Sequence, residues 1–159
     1  MWYKRQVFDY ATYRTSTGER PVIVPVNRLF DQFAYGVKGH PLAIKNFVAF
    51  ITQNWQTIAP KNVFIIGKGR IYKETRAMEA ADNMVPTFGF PPSDNLLLAP
   101  IGSDVPMLPV GRLSATNGDQ VTDYLNKIKT IEKAALDSLN IENQTWRKQT
   151  LHLGGGANT

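Results

Sequence analysis

The pattern of apolar and polar positions in the first half of the chain predicts a strand, a helix and a second strand. The run "VIVPV" (residues 22–26) is short and β-branched and comes after a turn, which is typical of a strand. A helix is predicted to begin at His40-Pro41, because proline suits the first helical turn and apolar residues then recur every three or four positions. These apolar residues are Ile44, Phe47, Val48, Ile51 and Trp55. The run "NVFIIG" (residues 62–67) predicts a second, buried strand.

The second half of the chain begins with a long irregular region. Residues 76–103 are rich in proline and glycine, with "VPTFGFPPSDN" at the centre, and a loop of this length in a compact domain is usually functional or packed by its own aromatic residues. The run "VPMLPV" (residues 105–110) predicts a third strand, and its two prolines favour an edge position. A last strand is predicted from "KQTLHLGGG" (residues 148–156).

A second long helix is predicted between these last two strands, after Gly111-Arg112. Thr116 or Asn117 can cap its N-terminus, and Asp119 suits its first turn, where the helix dipole favours a negative charge. Its apolar face consists of Val121, Tyr124, Leu125, Ile128 and Ile131. The order strand–helix–strand–strand–helix–strand predicts an α/β fold, with a largely parallel sheet flanked by helices.

The composition is that of a globular domain with a mild positive charge. At 159 residues, with 43% hydrophobic and 19% charged residues, the chain fits a single α/β domain over residues 1–159. The net charge of +5 is spread along the chain without a block of like charges or a nucleic-acid-binding motif, so no nucleic-acid partner is expected. No apolar run is long enough to span a membrane, and the first residues lack the apolar core of an export signal.

The chain contains no cysteine and only two histidines, His40 and His152. The absence of cysteine excludes disulfides and thiolate chemistry within these residues, and two histidines are too few for a metal site of the usual His/Cys kind. His152 lies in a predicted strand, and no serine stands in the G-x-S-x-G pattern that would supply a nucleophile. We interpret His152 as a strand residue and His40 as a helix-start residue.

Two glycine-rich stretches contain parts of phosphate-binding patterns. The first, "IIGKGRIY" (residues 65–72), has only Gly67-Lys68-Gly69 of the nucleotide loop G-x-x-x-x-G-K-[ST], and the third glycine of G-x-G-x-x-G is missing. The second, "GGGANT", has Thr159 where that third glycine would fall. A turn after a buried strand explains the first stretch more simply, although a small nucleotide-binding or flavodoxin-like protein stays open as an alternative.

Two acidic positions are candidate ligands for calcium. Ser93-Asp94-Asn95 and Ser103-Asp104 offer the oxygen atoms that calcium accepts, without the spacing of an EF-hand. Asp94 and Asp104 are therefore the metal candidates of this sequence. Local turn bonds to the backbone are the commoner role of such residues in a proline-rich loop.

Several of these stretches, in the same order, resemble the gingipain-like cysteine peptidase family. "LFDQFAYGVKGHPLAIKNFVAFI" is similar to its early signature, an aromatic-rich segment and a glycine before a helix, and "NVFIIGKG" and "PSDNLLLA" are similar to its next strand and a subsequent acidic stretch. "DVPMLPVGRLSATNGDQVTDYLNKI" is the most specific match, since the family carries a proline, Gly-Arg and then a helix there. The positions that carry the resemblance are Phe33, Gly36, Gly67, Gly111, Arg112 and Trp146.

The resemblance implies a caspase-like α/β fold made of two subdomains, of which this chain is similar to the first. It implies thiolate attack on a peptide carbonyl, with a histidine as proton shuttle, on loops of the second subdomain. Those catalytic residues are expected beyond Thr159, so none is expected within residues 1–159, nor any cofactor, although the family makes calcium a candidate. Lys68 replaces an aspartate that the family usually has, which removes any role of that carboxylate. Arg112 is expected to bond carbonyls or carboxylates near the strand ends.

The resemblance and the residues support two functions of different classes. The first is a fragment of a secreted gingipain-like cysteine endopeptidase, whose partners are the missing catalytic subdomain of the same polypeptide and protein or peptide substrates. The resemblance implies an extracellular or outer-membrane location, and "LFDQFAYG" and "HLGGG" favour the sortase-like branch of the type IX secretion system. The alternative is a non-catalytic α/β binding module that retains the fold, which Lys68 favours.

Overall fold

The computed structural model of the chain describes residues 3–55, 57–71, 85–137 and 149–150. The chain divides into two compact units, Met1–Asp123 and Tyr124–Thr159. Within the described residues, the helices are α1 (Lys4–Ser16), α2 (Val26–Phe33), α3 (Leu42–Asn54), α4 (Asp94–Leu98) and α5 (Gly118–Asp137). The strands are β1 (Val63–Ile66), β2 (Gly69–Arg70), β3 (Val85–Pro86) and β4 (Val110–Leu113).

The strands form two parallel pairs. Strand β1 pairs with β4, with Val63 opposite Val110 and Ile66 opposite Leu113. Strand β2 pairs with β3, with Gly69 opposite Val85. Parallel neighbours need crossover connections, and the segment between β1 and β4 contains helix α4. The parallel pairs and the helices confirm the predicted α/β class, and β1 confirms the strand predicted at residues 62–67.

Helix α3 confirms the first predicted helix and supplies much of the core. Its first N–H group, that of Leu42, donates to Nδ1 of His40 at 3.2 Å, so His40 satisfies a donor that has no partner inside the helix. Burying an isoleucine or leucine side chain contributes about 1.5–3 kcal/mol, and α3 packs such residues against α2, α4 and β1. The main core cluster consists of Leu29, Phe30, Ala34, Ala43, Ile44, Val48, Ile51, Ile65, Val85, Leu97, Leu98 and Leu108.

The prediction of a strand at residues 22–26 is wrong. Val26 instead begins helix α2, and Pro25 before it is extended, with φ −67° and ψ 125°. Residues 22–24 make no hydrogen bond within the described part of the chain. Pro21 and Pro25 explain this in part, because neither has an N–H group to donate to a strand ladder.

The third strand lies later in the chain than predicted. Strand β4 begins at Val110, the last residue of the predicted run 105–110. Pro106 and Pro109 cannot donate to a ladder, and between them the N–H of Met107 donates to the carbonyl of Leu98 at 3.1 Å rather than to a strand. The carbonyl oxygen of Pro109 accepts from the N–H of Val63 at 2.9 Å.

Helix α5 confirms the second predicted helix, and its N-terminus has the predicted cap. The side-chain oxygen of Asn117 accepts from the backbone N–H of Gln120 at 3.0 Å. The side-chain oxygen of Gln120 in turn accepts from the backbone N–H of Thr116 at 2.7 Å. This reciprocal arrangement is close to a capping box and satisfies donors at the helix start.

Helix α1 has no counterpart among the predicted elements. None of its residues is buried, and its half-buried side combines Val7, Tyr10 and Ala11, which have helical spacing, with the polar Gln6 and Arg14. It is held by Val7, which packs on a small second cluster, and by the ring of Tyr10, whose centroid lies 5.3 Å from that of Phe64. The buried residues of this second cluster are Tyr3, Ala115 and Val121. Burial raises the pKa of the Tyr3 hydroxyl.

The irregular region predicted at 76–103 is described from residue 85 onward, where it contains β3 and the short helix α4. Most of the strand predicted at residues 148–156, together with His152 and Trp146, lies outside the described residues. In the part of the chain that the structure describes, no helix combines the length and the hydropathy needed to cross a bilayer.

Candidate functional site

The side chain of Arg112, on β4, forms a bidentate ion pair with Asp94 in the first turn of α4. Its Nε donates to one carboxylate oxygen at 2.8 Å and its Nη2 to the other at 2.7 Å. The two side chains are only 11% and 24% exposed. A planar guanidinium matches both oxygens of a carboxylate, so this is among the stronger and more directional of ion pairs.

The same guanidinium also bonds backbone carbonyls at the ends of neighbouring strands. Its Nη1 donates to the carbonyl oxygen of Gly67, after β1, at 2.8 Å and to that of Val85, in β3, at 3.2 Å. A longer bond of 3.5 Å joins Nη2 to the carbonyl oxygen of Pro86. Arg112 therefore links β1, β3, β4 and α4, through a carboxylate and carbonyls of the kind that the sequence analysis expected.

Local sequence brings Asp94 to this position. Ser93 is the N-cap of α4, and its hydroxyl oxygen accepts from the N–H of Leu96. The N–H of Ser93 donates to the carbonyl of Phe88 at 2.9 Å, which closes the turn between them. Gly89 lies in that turn with φ +92°, a conformation that glycine adopts most readily. The turn and the cap together point the first residue of α4 at Arg112.

Lys45, on α3, is a buried cation next to the same segment. Its Nζ donates to the carbonyl oxygen of Leu96 at 2.6 Å and to that of Ala99, and lies 4.4 Å from the centre of the Phe88 ring. These carbonyls lie at the C-terminal end of α4, where a positive charge is favoured. Burial lowers the pKa of Lys45. Nothing in the sequence analysis pointed to this lysine, which comes directly after two apolar residues of α3.

The loop after β1 is not arranged to hold an anion. The N–H of Gly67 donates to the carbonyl of Leu113 at 2.9 Å, and the N–H of Lys68 donates to that of Ala115 at 3.0 Å. A phosphate loop needs such N–H groups turned toward the ligand. The turn expected at Gly67-Lys68 is therefore tied to the residues after β4, with the Lys68 side chain exposed.

The two metal candidates do not fit a calcium site. Both carboxylate oxygens of Asp94 accept from Arg112, and Asp104 is an exposed residue. Among the described residues, no three side chains of the types histidine, cysteine, aspartate and glutamate are grouped as a metal site would require. Calcium takes six to eight oxygen ligands, so these two aspartates by themselves are insufficient.

The other positions that carried the family resemblance are spread over the fold rather than gathered in one site. Phe33 packs its ring on those of Phe47 and Phe50, at centroid distances of 5.5 and 5.7 Å. Gly36 has φ +78° and lies after α2. Gly111 lies on β4 opposite Phe64 of β1. Among the described positions that carried the resemblance, Gly67 is the one whose carbonyl accepts a hydrogen bond from the Arg112 side chain. The cluster offers an ion pair and carbonyl bonds, which is the chemistry of a structural link.

The sequence model of peptidase family C25 matches residues 3–159. The chain belongs to peptidase family C25. This is the gingipain family of cysteine peptidases, which have the caspase-like α/β fold, so the suspected resemblance is confirmed. Peptidases of family C25 are hydrolases that act on proteins and are generally extracellular. No curated protein and no solved structure shows significant similarity to the chain.

Proposed function

We propose that this chain is the supporting subdomain of a C25 cysteine endopeptidase and is inactive by itself. The observation that carries the proposal is the match of family C25 to residues 3–159 of a chain that contains no cysteine. A cysteine peptidase needs a thiolate nucleophile, which residues 1–159 cannot supply. The nucleophilic cysteine and its histidine then lie in a catalytic subdomain of the same polypeptide, beyond Thr159.

The role of the supporting subdomain is to position strand ends. Catalytic loops of α/β enzymes lie at the carboxyl ends of strands, and such loops act efficiently only when they are held within a fraction of an ångström. Arg112 fixes the segment after β1 to β3 and α4 at bond distances of 2.7–3.2 Å. We infer that these bonds hold the strand ends in fixed positions and so position the neighbouring catalytic loops.

The first test is the intact mass of the natural gene product, together with its amino-acid sequence beyond Thr159. A His-Gly after one further strand and a cysteine after the next would support the proposal. A natural product that ends at Thr159, or continues without a cysteine, would contradict it.

Activity provides the second test. Purified residues 1–159 are expected not to cleave fluorescent casein, with or without reductant. The natural gene product is expected to cleave it, and iodoacetamide, which alkylates thiolates, is expected to abolish that cleavage. A serine-directed inhibitor is the matched control and should have no effect. Cleavage by residues 1–159 alone would place the nucleophile elsewhere.

Export and the type IX secretion branch are further parts of the proposal. They rest on the family and on the similarity of "LFDQFAYG" and "HLGGG" to the sortase-like branch. The gene product is expected in the outer-membrane or culture fraction of its host, with a leader removed from its N-terminus. Recovery of an unprocessed protein from the cytoplasm would contradict export while leaving the peptidase proposal intact.

A second candidate function is a non-catalytic binding module of the same family. The observation that favours it is Lys68, an exposed cation where the family usually has an aspartate. This candidate predicts a natural product that lacks the cysteine, so the mass and sequence measurement separates the two functions.

A further inference from the structure

A cleft of about 1460 Å³ opens within the unit formed by Met1–Asp123. Helix α1, residues 18–27, α3 and β1 all contribute to its lining. Most of the side chains that line it are apolar, among them Val22, Val24, Ile51 and Ile65. A volume of this size is that of a ligand or peptide site rather than of a packing defect.

One wall of this cleft is a stretch of backbone that makes no hydrogen bonds. Within the described residues, neither the N–H nor the carbonyl groups of Val22, Ile23 and Val24 have a hydrogen-bond partner. Val22 is 67% exposed, and the three β-branched side chains suit a strand. Pro25, at the end of this stretch, has extended backbone, and extended backbone with free N–H and C=O groups is a template for pairing with another strand. We call residues 21–25 the docking segment.

The prolines at both ends limit where a partner strand can pair. Pro21 and Pro25 have no N–H group, and the N–H groups of successive strand residues point to opposite edges, so the edge that carries Val22 and Val24 offers a partner strand two donors and no more. That length suits a short extended peptide. A second copy of this segment would itself carry the two prolines, and the ladder between the copies would be restricted from both sides.

The charges that line the cleft favour an acidic partner. Three basic side chains, Arg14, Arg20 and Lys61, line it together with one acidic side chain, that of Glu19. Arg20 and Lys61 are exposed and, within the described residues, form no ion pair. Arg14 is partly engaged, since its Nε donates to the Tyr10 hydroxyl at 3.0 Å. Complementary charge steers a partner toward such a surface and sets its orientation.

We propose that this cleft binds an extended apolar peptide segment of another protein, flanked by acidic residues, which pairs as a β-strand with residues 22–24. Addition of a strand to free backbone supplies main-chain hydrogen bonds, and pockets for alternate side chains supply selectivity. Here Arg20 and Lys61 meet the acidic flanks, and the apolar lining receives the inward side chains. The proposal concerns a protein partner and does not depend on the peptidase function.

The test uses residues 1–159 and a short capped peptide of alternating valine and threonine with an aspartate at each end. Calorimetry is expected to show binding, and hydrogen exchange is expected to slow at Val22 and Val24, whose N–H groups share one edge, and less at Ile23. The same peptide with lysine at each end should bind at least about tenfold more weakly. Equal binding of the two peptides, or no binding of either, would overturn the proposal.

Two variants test the charges on the protein side. The double change Arg20→Glu with Lys61→Glu is expected to weaken binding of the aspartate-flanked peptide about tenfold or more. Arg28→Glu with Lys38→Glu is the matched control, because it changes the net charge by the same amount at two exposed residues that do not line the cleft. An equal loss in the control would show a general effect of net charge and would contradict the proposed contact.

A change in the peptide tests the main-chain pairing without altering the protein. N-methylation of alternate peptide amides removes donors while keeping the side chains, and it is expected to abolish binding if a strand ladder forms. Undiminished binding would show a purely apolar pocket. Sedimentation without peptide tests whether the chain associates with itself. Self-association, together with slower hydrogen exchange at residues 22–24, would identify a second copy of the chain as the occupant. Either result would overturn the proposal.

Discussion

Arg112 holds both carboxylate oxygens of Asp94, at 2.7 and 2.8 Å, across 18 positions of sequence. Through its remaining donors it also reaches the carbonyls of Gly67 and Val85. The Gly-Arg pair within β4 is therefore the point at which two neighbouring strands and a short helix are tied together. Because Arg112 is partly buried, each of these hydrogen bonds is electrostatically stronger than it would be on the surface.

Removal of Arg112 is expected to destabilise the fold. Arg112→Ala removes the donor to the Asp94 carboxylate and to the carbonyls of Gly67, Val85 and Pro86, and bonds to charged groups are worth about 1.5–3 kcal/mol each. Because the pair is partly exposed, we expect a total loss of about 2–3 kcal/mol in the free energy of unfolding. Urea unfolding followed by circular dichroism measures it.

Two controls separate this link from a general effect of charge. Asp104→Ala, which removes an exposed aspartate, is expected to change the free energy of unfolding by less than about 0.5 kcal/mol. The double variant Arg112→Ala with Asp94→Ala should lose less than the two single losses combined, because the partners act together. Additive losses would show that the ion pair contributes little.

The buried Lys45 is expected to make stability rise with pH. Its native pKa is lowered by burial from the ordinary 10.5. Between the native pKa and 10.5 the unfolded chain binds more protons than the folded chain, so the free energy of unfolding increases with pH across that window. Below the native pKa both states are protonated and this dependence vanishes. Urea unfolding at steps of pH, up to about pH 10, checks the slope.

Lys45→Met is the matched variant for this slope. It fills a similar volume without a charge and should lack the rise that the natural chain shows. Tyr3 acts in the opposite direction, because its raised pKa removes stability above its ordinary value of 10.0. Measurements below that pH therefore isolate Lys45. Identical slopes for the natural chain and Lys45→Met would rule out a lowered pKa.

Gly89 is expected to tolerate no side chain, for two separate reasons. Its φ is +92°, and a β-carbon there would lie 2.5 Å from Cδ1 of Leu96. Gly102 has a similar φ of +84° but no heavy atom within 4 Å of that position. Gly102→Ala should cost about 1–2 kcal/mol from backbone strain alone, and Gly89→Ala about 1–3 kcal/mol more from the clash. Equal losses of thermal stability would show that the turn relaxes around the new methyl group.

Asn117→Ala tests the cap of helix α5. The change removes the acceptor for the N–H of Gln120, and we expect a loss of about 1 kcal/mol. Asn117→Asp keeps an acceptor and adds a charge that the helix dipole favours, so it should be neutral or slightly stabilising. Thermal unfolding compares the two. A stable alanine variant would mean that Gln120 and Thr116 suffice for the cap.

The elements with a strong local signal were predictable. Helix α3 and helix α5 have apolar residues at helical spacing and recognisable starts at Pro41 and Asn117, and both were predicted correctly. Helix α2 was missed although Val26, Leu29, Phe30 and Phe33 have the same spacing, because it is only eight residues long and begins within a β-branched run. Helix α1 was also missed, because its half-buried side mixes apolar residues such as Val7 and Ala11 with polar ones such as Arg14, and no residue of it is buried.

The candidate site was only partly predictable, because its contacts join residues that are distant in sequence. Residue type and position suggested that Arg112 would bond groups near the strand ends, but its partner Asp94 was considered only as a metal ligand. Choosing between those roles requires the distance between the two side chains, which depends on how α4 packs beside β4. Lys45 could not be found at all, because a charged residue on a helix is normally exposed, and here the ammonium group is buried and donates hydrogen bonds to two carbonyls.

Local periodicity, ordered motifs and composition were enough to establish the α/β class, helices α3 and α5, the family and the absence of a thiol. Three features depend on packing instead: residues 22–24 have no hydrogen-bond partner among the described residues, Asp94 pairs with Arg112, and Lys45 is buried. Strand pairing and ion pairing join residues far apart in sequence, and their free energies depend on the burial and distance that packing creates.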